Sequence, residues 1–114
     1  MTMLRKIGGV VGGVLATGLV IAGVETAGHS IASGEAVFAL AVAGYGLGAL
    51  AGSAVCAALA GRSLSIAVPL VLGVLALINL FAFPHPVWFV PAAAIALASG
   101  WWLGARLAER RFAR

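Results

Sequence analysis

Four polar side chains in an otherwise apolar chain have the chemistry for a site: Glu25, His29, Asn79 and His85. Glu25 and His29 stand at i and i+4, so a helix that reaches both puts them on one face within pairing distance. His85 is held between Pro84 and Pro86, whose rings fix the backbone on either side, and Trp88 follows within a turn. Together with Glu35 these residues match a borderline metal-ligand set, but no HxxxH or HExxH spacing occurs, and a metal needs geometry as well as ligand types. Glu25 and a histidine that change charge would suit ion-coupled transport, although no ionisable residue falls where the middle of a bilayer would be. A glutamate with a histidine also suits acid–base catalysis, but there is no nucleophile, cofactor loop or paired-acid pattern. The plain alternative is that these groups are solvated or cap helix ends, as Glu35 and Ser33 would at the start of a helix. The expectation is therefore an outer polar cluster of Glu25, His29, Asn79 and His85, with no catalytic residue, no metal, no cofactor and no enzymatic activity.

The elements that must carry this cluster follow from composition. Of 114 residues 63% are hydrophobic and 9% charged, and the mean hydropathy is +1.16. A water-soluble domain of this size needs a polar surface that this sequence does not contain, so lipid is the expected solvent. Sixteen glycines, abundant alanine and the lack of period-two alternation argue against strands. A crossing helix needs about 20 apolar residues. Four fit, at about Ile7–Val24 (with an extension to Gly28), about 35–60, about Leu64–Phe83 and about Val87–Ala105, with a basic tail over 106–114 and no room for a second domain. Pro69 is expected to tilt or kink the start of the third helix, and Pro91 falls in the first turn of the fourth, where a missing donor is cheap. The basic start and apolar run also resemble a secretory leader, but the run is long and the small residues after it make a poor cleavage site, so retention is expected.

The cations set direction. Arg5 and Lys6 precede the first apolar stretch, Arg62 lies between the second and third, and Arg106, Arg110, Arg111 and Arg114 follow the fourth. The other two junctions have no Lys or Arg. Cytoplasmic loops collect Lys and Arg, which predicts an all-α, membrane-spanning four-helix bundle with N and C termini both cytoplasmic. Trp88 at the outer boundary and Trp101–Trp102 at the inner one agree with an interfacial aromatic belt. The net charge of +4 then reads as contact with anionic lipid heads rather than nucleic acid. Cys56, the lone cysteine, reads as a small packing residue, and the hydroxyl of Tyr45 as a bond across the bundle.

Small residues recur every four positions. One ridge reads Gly44, Gly48, Gly52, Cys56, Ala60, and another Ala92, Ala96, Gly100, Gly104, Ala108; the first helix offers two, Gly8–Gly12–Ala16 and Gly9–Gly13–Thr17. Such ridges let backbones approach closely, which is what drives helix association in lipid. The third helix is bulky and is expected on the outside. The bundle is expected to use some ridges internally and one for a homo-oligomer or a membrane-protein partner.

The segment Glu25–His29, the run Gly44-Tyr45-Gly46-Leu47-Gly48 and the stretch Asn79–Phe89 together resemble an uncharacterised group of small bacterial four-helix integral membrane proteins, with a Pro-x-Pro-x-Trp-Phe element opening the last helix. That resemblance implies four crossings and brings no activity. Members carry a longer first outer loop with prolines than this chain does, so no loop function carries over. Function is expected to be that of a small inner-membrane protein, structural or accessory, assembling through Gly/Ala helix faces; the alternative is a small oligomeric transporter or channel with an outer Glu/His vestibule.

Overall fold

The computed structural model describes residues 2–31, 34–82 and 86–112. Among them the chain is helical with no strand: α1 (Met3–Ile31), α2 (Glu35–Ala60), the single turn α3 (Arg62–Ser65), α4 (Ala67–Ala82) and α5 (Phe89–Phe112). The molecule measures 45 × 25 × 21 Å. Two helices, α1 and α2, are long and apolar enough to cross a membrane. At ~1.5 Å per residue α1 spans about 44 Å and α4 only about 24 Å.

Local chemistry explains the boundaries. The helix begins at Met3, earlier than the apolar run, because Thr2 caps it: the Arg5 amide donates to Thr2 Oγ1 (3.2 Å) and the Lys6 amide to the Thr2 carbonyl. The N-cap of α2 is Gly34, at φ +64°; Ser33 lies outside the described residues. Gly61 closes α2 at φ +95°, a conformation that glycine adopts without strain, and its amide donates to the Ala57 carbonyl (2.9 Å). The expected third helix is broken after Ser65. Pro69 has no amide to offer the Ser65 carbonyl and its ring crowds that turn, so α3 stops, Ile66 makes a turn and α4 starts at Ala67.

The central element is α2, with α1 on one face and α5 on another. The buried apolar cluster is small: Ala49, Cys56, Ala60, Val68, Leu72 and Leu97. The large apolar side chains are on the outside instead, among them Leu4 (81% exposed), Leu19 (76%), Leu70 (62%) and Ile95 (67%). The first half of α4 reaches the core through Val68 and Leu72, while beyond it Val74, Leu75, Leu77 and Ile78 are exposed. The bulky helix is thus peripheral.

Candidate functional site

Two seams hold the molecule, and both are built on glycine. In the α1–α2 seam, Gly9, Gly13, Thr17, Val24 and Gly28 meet Leu40, Gly44, Gly48, Gly52, Cys56 and Ala60. A β-carbon placed on Gly9 would lie 2.6 Å from the Ala60 β-carbon, and one on Gly13 would lie 2.7 Å from the Gly52 carbonyl oxygen. At Gly13 the hydrogen in that place points at the Gly52 carbonyl, the arrangement of an interhelical Cα–H···O contact. In the α2–α5 seam, Gly100 lies against the Gly46 carbonyl and Gly104 against the Leu50 carbonyl, while Gly46 faces Ala96.

Of the two candidate ridges on α1, the seam takes Gly9–Gly13–Thr17. Gly8 has nothing within 4 Å of a β-carbon, and Gly12 has only ordinary contacts with Val55 and Leu59. The reason is Thr17. It is fully buried, and its hydroxyl lies 2.8 Å from the Gly48 carbonyl of α2 and 3.0 Å from the Gly13 carbonyl of its own helix. Rotating α1 by one residue would lose that interhelical bond. Thr17→Val should therefore weaken the fold by about 0.6 kcal/mol, and by no more than about 1.7, in reversible unfolding by SDS, whereas Thr17→Ser should not. A valine variant as stable as the parent would remove the hydroxyl from the account. Ser53, also fully buried, has no hydrogen-bond partner for its Oγ.

One end of the bundle is basic and tied together. The Arg5 Nε donates to the Leu59 carbonyl at the end of α2, which offers that carbonyl a partner where the helix has none. Arg62 pairs with Glu109 at 2.9 Å, both side chains about half exposed. The Trp101 Nε1 donates to Ser65 Oγ at 3.0 Å, and that hydroxyl in turn donates to the Arg62 carbonyl. The Arg106 guanidinium lies 5.1 Å from the Trp102 ring centre. The starts of α1 and α3 and the ends of α2 and α5 therefore share one end. Sequence reasoning did not find the Arg62–Glu109 or Trp101–Ser65 contacts, because residues that far apart in the chain carry no local signal of pairing.

The opposite end carries aromatic rings. Phe89 is buried and meets Phe38 edge-on at 5.4 Å and Tyr45 at 6.1 Å; Trp88 packs against it at 6.4 Å. The Tyr45 ring packs edge-on against Phe89, and no hydrogen bond joins its hydroxyl to another described residue. Of the four residues of the expected polar cluster, Glu25 is exposed on α1, one residue past the contact of Val24 with Gly44. The backbones of His29 and Asn79 are helical, in α1 and α4; their side chains, and His85 entirely, lie outside the described residues. No group of three or more His, Cys, Asp or Glu that could hold a metal occurs among the described residues. No protein family, curated protein or solved structure matches the chain.

Proposed function

We propose that the chain is a multi-pass protein of a bacterial inner membrane, crossing four times with both termini in the cytoplasm, and that its role is structural or accessory. The observation that carries this reading is the inverted distribution of side chains. Most buried positions are glycine, alanine, serine or threonine, joined among the described residues by Cys56, Val68, Leu72, Phe89 and Leu97, and most large apolar residues face outward. The apolar stretches of α1 and α2 are only 17% and 28% buried, unlike core helices of a protein in water. An exterior of this kind aggregates in water and is at rest in lipid. The contacts of Arg5 with Leu59 and of Arg62 with Glu109 support the direction, since they gather the cations at one end. The third crossing draws on α3 and α4 together, because α4 alone is shorter than the ~30 Å hydrocarbon core.

The ridges are used within the chain: Gly9–Gly13–Thr17 meets the Gly44–Ala60 ridge, and Gly100 and Gly104 of α5 meet Gly46, Ala49 and Leu50 on another face of α2. A second copy or a membrane partner therefore meets the bulky outer surface, or the Gly8–Gly12–Ala16 side of α1.

The test places single cysteines in a Cys56→Ala background and labels them with a membrane-impermeant maleimide in intact spheroplasts. Val87→Cys, at the aromatic end and almost fully exposed, should be labelled from outside. Thr2→Cys and Ser63→Cys should be labelled only after permeabilisation. Labelling of either from outside overturns the topology. An ion flux in liposomes that is lost on Glu25→Gln or His85→Ala would overturn the accessory role in favour of transport.

A further inference from the structure

The helices α4 and α5 run antiparallel and are joined at the basic end, where Ser65 meets Trp101 and Arg62 meets Glu109. Beyond that joint they part. Between them lies a laterally open cleft of about 350 Å³, with Pro69, Gly73 and Leu77 at four-residue spacing on one wall and Phe89, Ala93 and Leu97 on the other. Every described residue of its lining is apolar. Gly73 has nothing within 4 Å of a β-carbon, so no described side chain reaches across the cleft at that point.

Its shape selects the occupant. Each wall extends over nine residues, eight rises or about 12 Å at ~1.5 Å per residue, close to one leaflet's share of a ~30 Å hydrocarbon core. A crossing helix is ~10–12 Å wide and needs the whole core, but the Trp101–Ser65 contact blocks the cleft at its basic end. A polar ligand finds no side-chain partner among the described residues of the walls. An unfilled cleft would forfeit the dispersion contacts of both walls. A slender, flexible hydrocarbon chain satisfies all of these conditions.

We propose that the cleft between α4 and α5 seats one acyl chain of a phospholipid from the leaflet opposite the basic end. The proposal rests on the membrane reading above.

The experiment reconstitutes the full chain into phosphatidylcholine vesicles that contain a phosphatidylcholine with a diazirine on its acyl chain. After irradiation the adducts are mapped by mass spectrometry. Label should concentrate several-fold on Gly73, Ala93 and Ala94 over Leu15 and Leu19, which are exposed on α1. Gly73→Leu projects into open space, so it should leave the melting temperature unchanged and remove most of the label from Ala93 and Ala94. Ala94→Phe, filling the cleft from the other wall, should do the same to Gly73. Uniform labelling, or labelling unaffected by either substitution, overturns the cleft proposal while leaving the membrane reading in place. Disulfide cross-linking between two copies through Gly73→Cys or Ala94→Cys in the Cys56→Ala background would overturn it in favour of a second chain. Failure of the protein to float with the vesicles overturns both.

Discussion

Replacing Gly52 with leucine is expected to abolish the folded bundle. A β-carbon alone at this position would overlap Thr17 Oγ1 and the Gly13 carbonyl oxygen, and would lie 3.1 Å from Val68 Cγ1. Overpacking a core costs about 1–3 kcal/mol where side chains can yield. Here the obstacle is the backbone of α1, so relief requires moving the whole helix. That movement breaks the Thr17–Gly48 hydrogen bond and separates the remaining glycine contacts at once. The expected loss is above ~3 kcal/mol, read as failure to resist SDS or as absence of a folded fraction on purification. Gly18→Leu is the control: it has nothing within 4 Å of its β-carbon and should melt with the parent. A Gly52→Leu protein that melts normally would mean the α1–α2 seam is not as close as described.

Gly104→Leu should detach α5. Its β-carbon would fall on the Leu50 carbonyl, with the Leu50 Cα at 3.0 Å, so again only backbone stands in the way. The substitution lies between Trp101 and Glu109, and displacing α5 there removes both ties to α3. The exposed Arg62–Glu109 pair matters little by itself, since surface pairs are worth ~1 kcal/mol or less; the loss comes from the seam. With Trp88→Phe and Trp102→Phe leaving Trp101 as the single indole, emission from the Gly104→Leu protein should match that of the denatured chain. Emission and melting like those of the same background with Gly104 would count against this assignment.

The four-residue spacing on α2 and α5 is visible in the sequence because smallness is a property of single residues, and period and face are linked by helical geometry. Choosing between Gly8–Gly12–Ala16 and Gly9–Gly13–Thr17 is different. Both ridges are small, and they differ by one residue of rotation. What separates them is a hydroxyl on one helix and a carbonyl on another, a relation between segments that no local pattern encodes. Pro69 signals a break, but its position after Ser65 depends on which carbonyl the ring displaces. Glu109 drew no notice among the tail arginines, yet it is the partner of Arg62. For Tyr45 a phenol in an apolar helix suggests a hydrogen bond, and what the described residues show is the edge-on contact of its ring with Phe89. For the polar cluster, only the exposed placement of Glu25 bears on the expectation, since the side chains of His29, Asn79 and His85 lie outside the described residues.

An interior assembled from hydrogens and methyl groups inverts the usual map of mutational tolerance. Most buried positions are already alanine or glycine, so scanning them with alanine has little to remove, and inheritance of a shorter side chain is not the danger. Harm comes from growth. A single added carbon at Gly13, Gly52, Gly100 or Gly104 meets main chain, while the broad leucines and valines outside are interchangeable as long as they stay oily. Over generations such a chain would drift freely in its coat and hardly at all along two narrow lines of glycine.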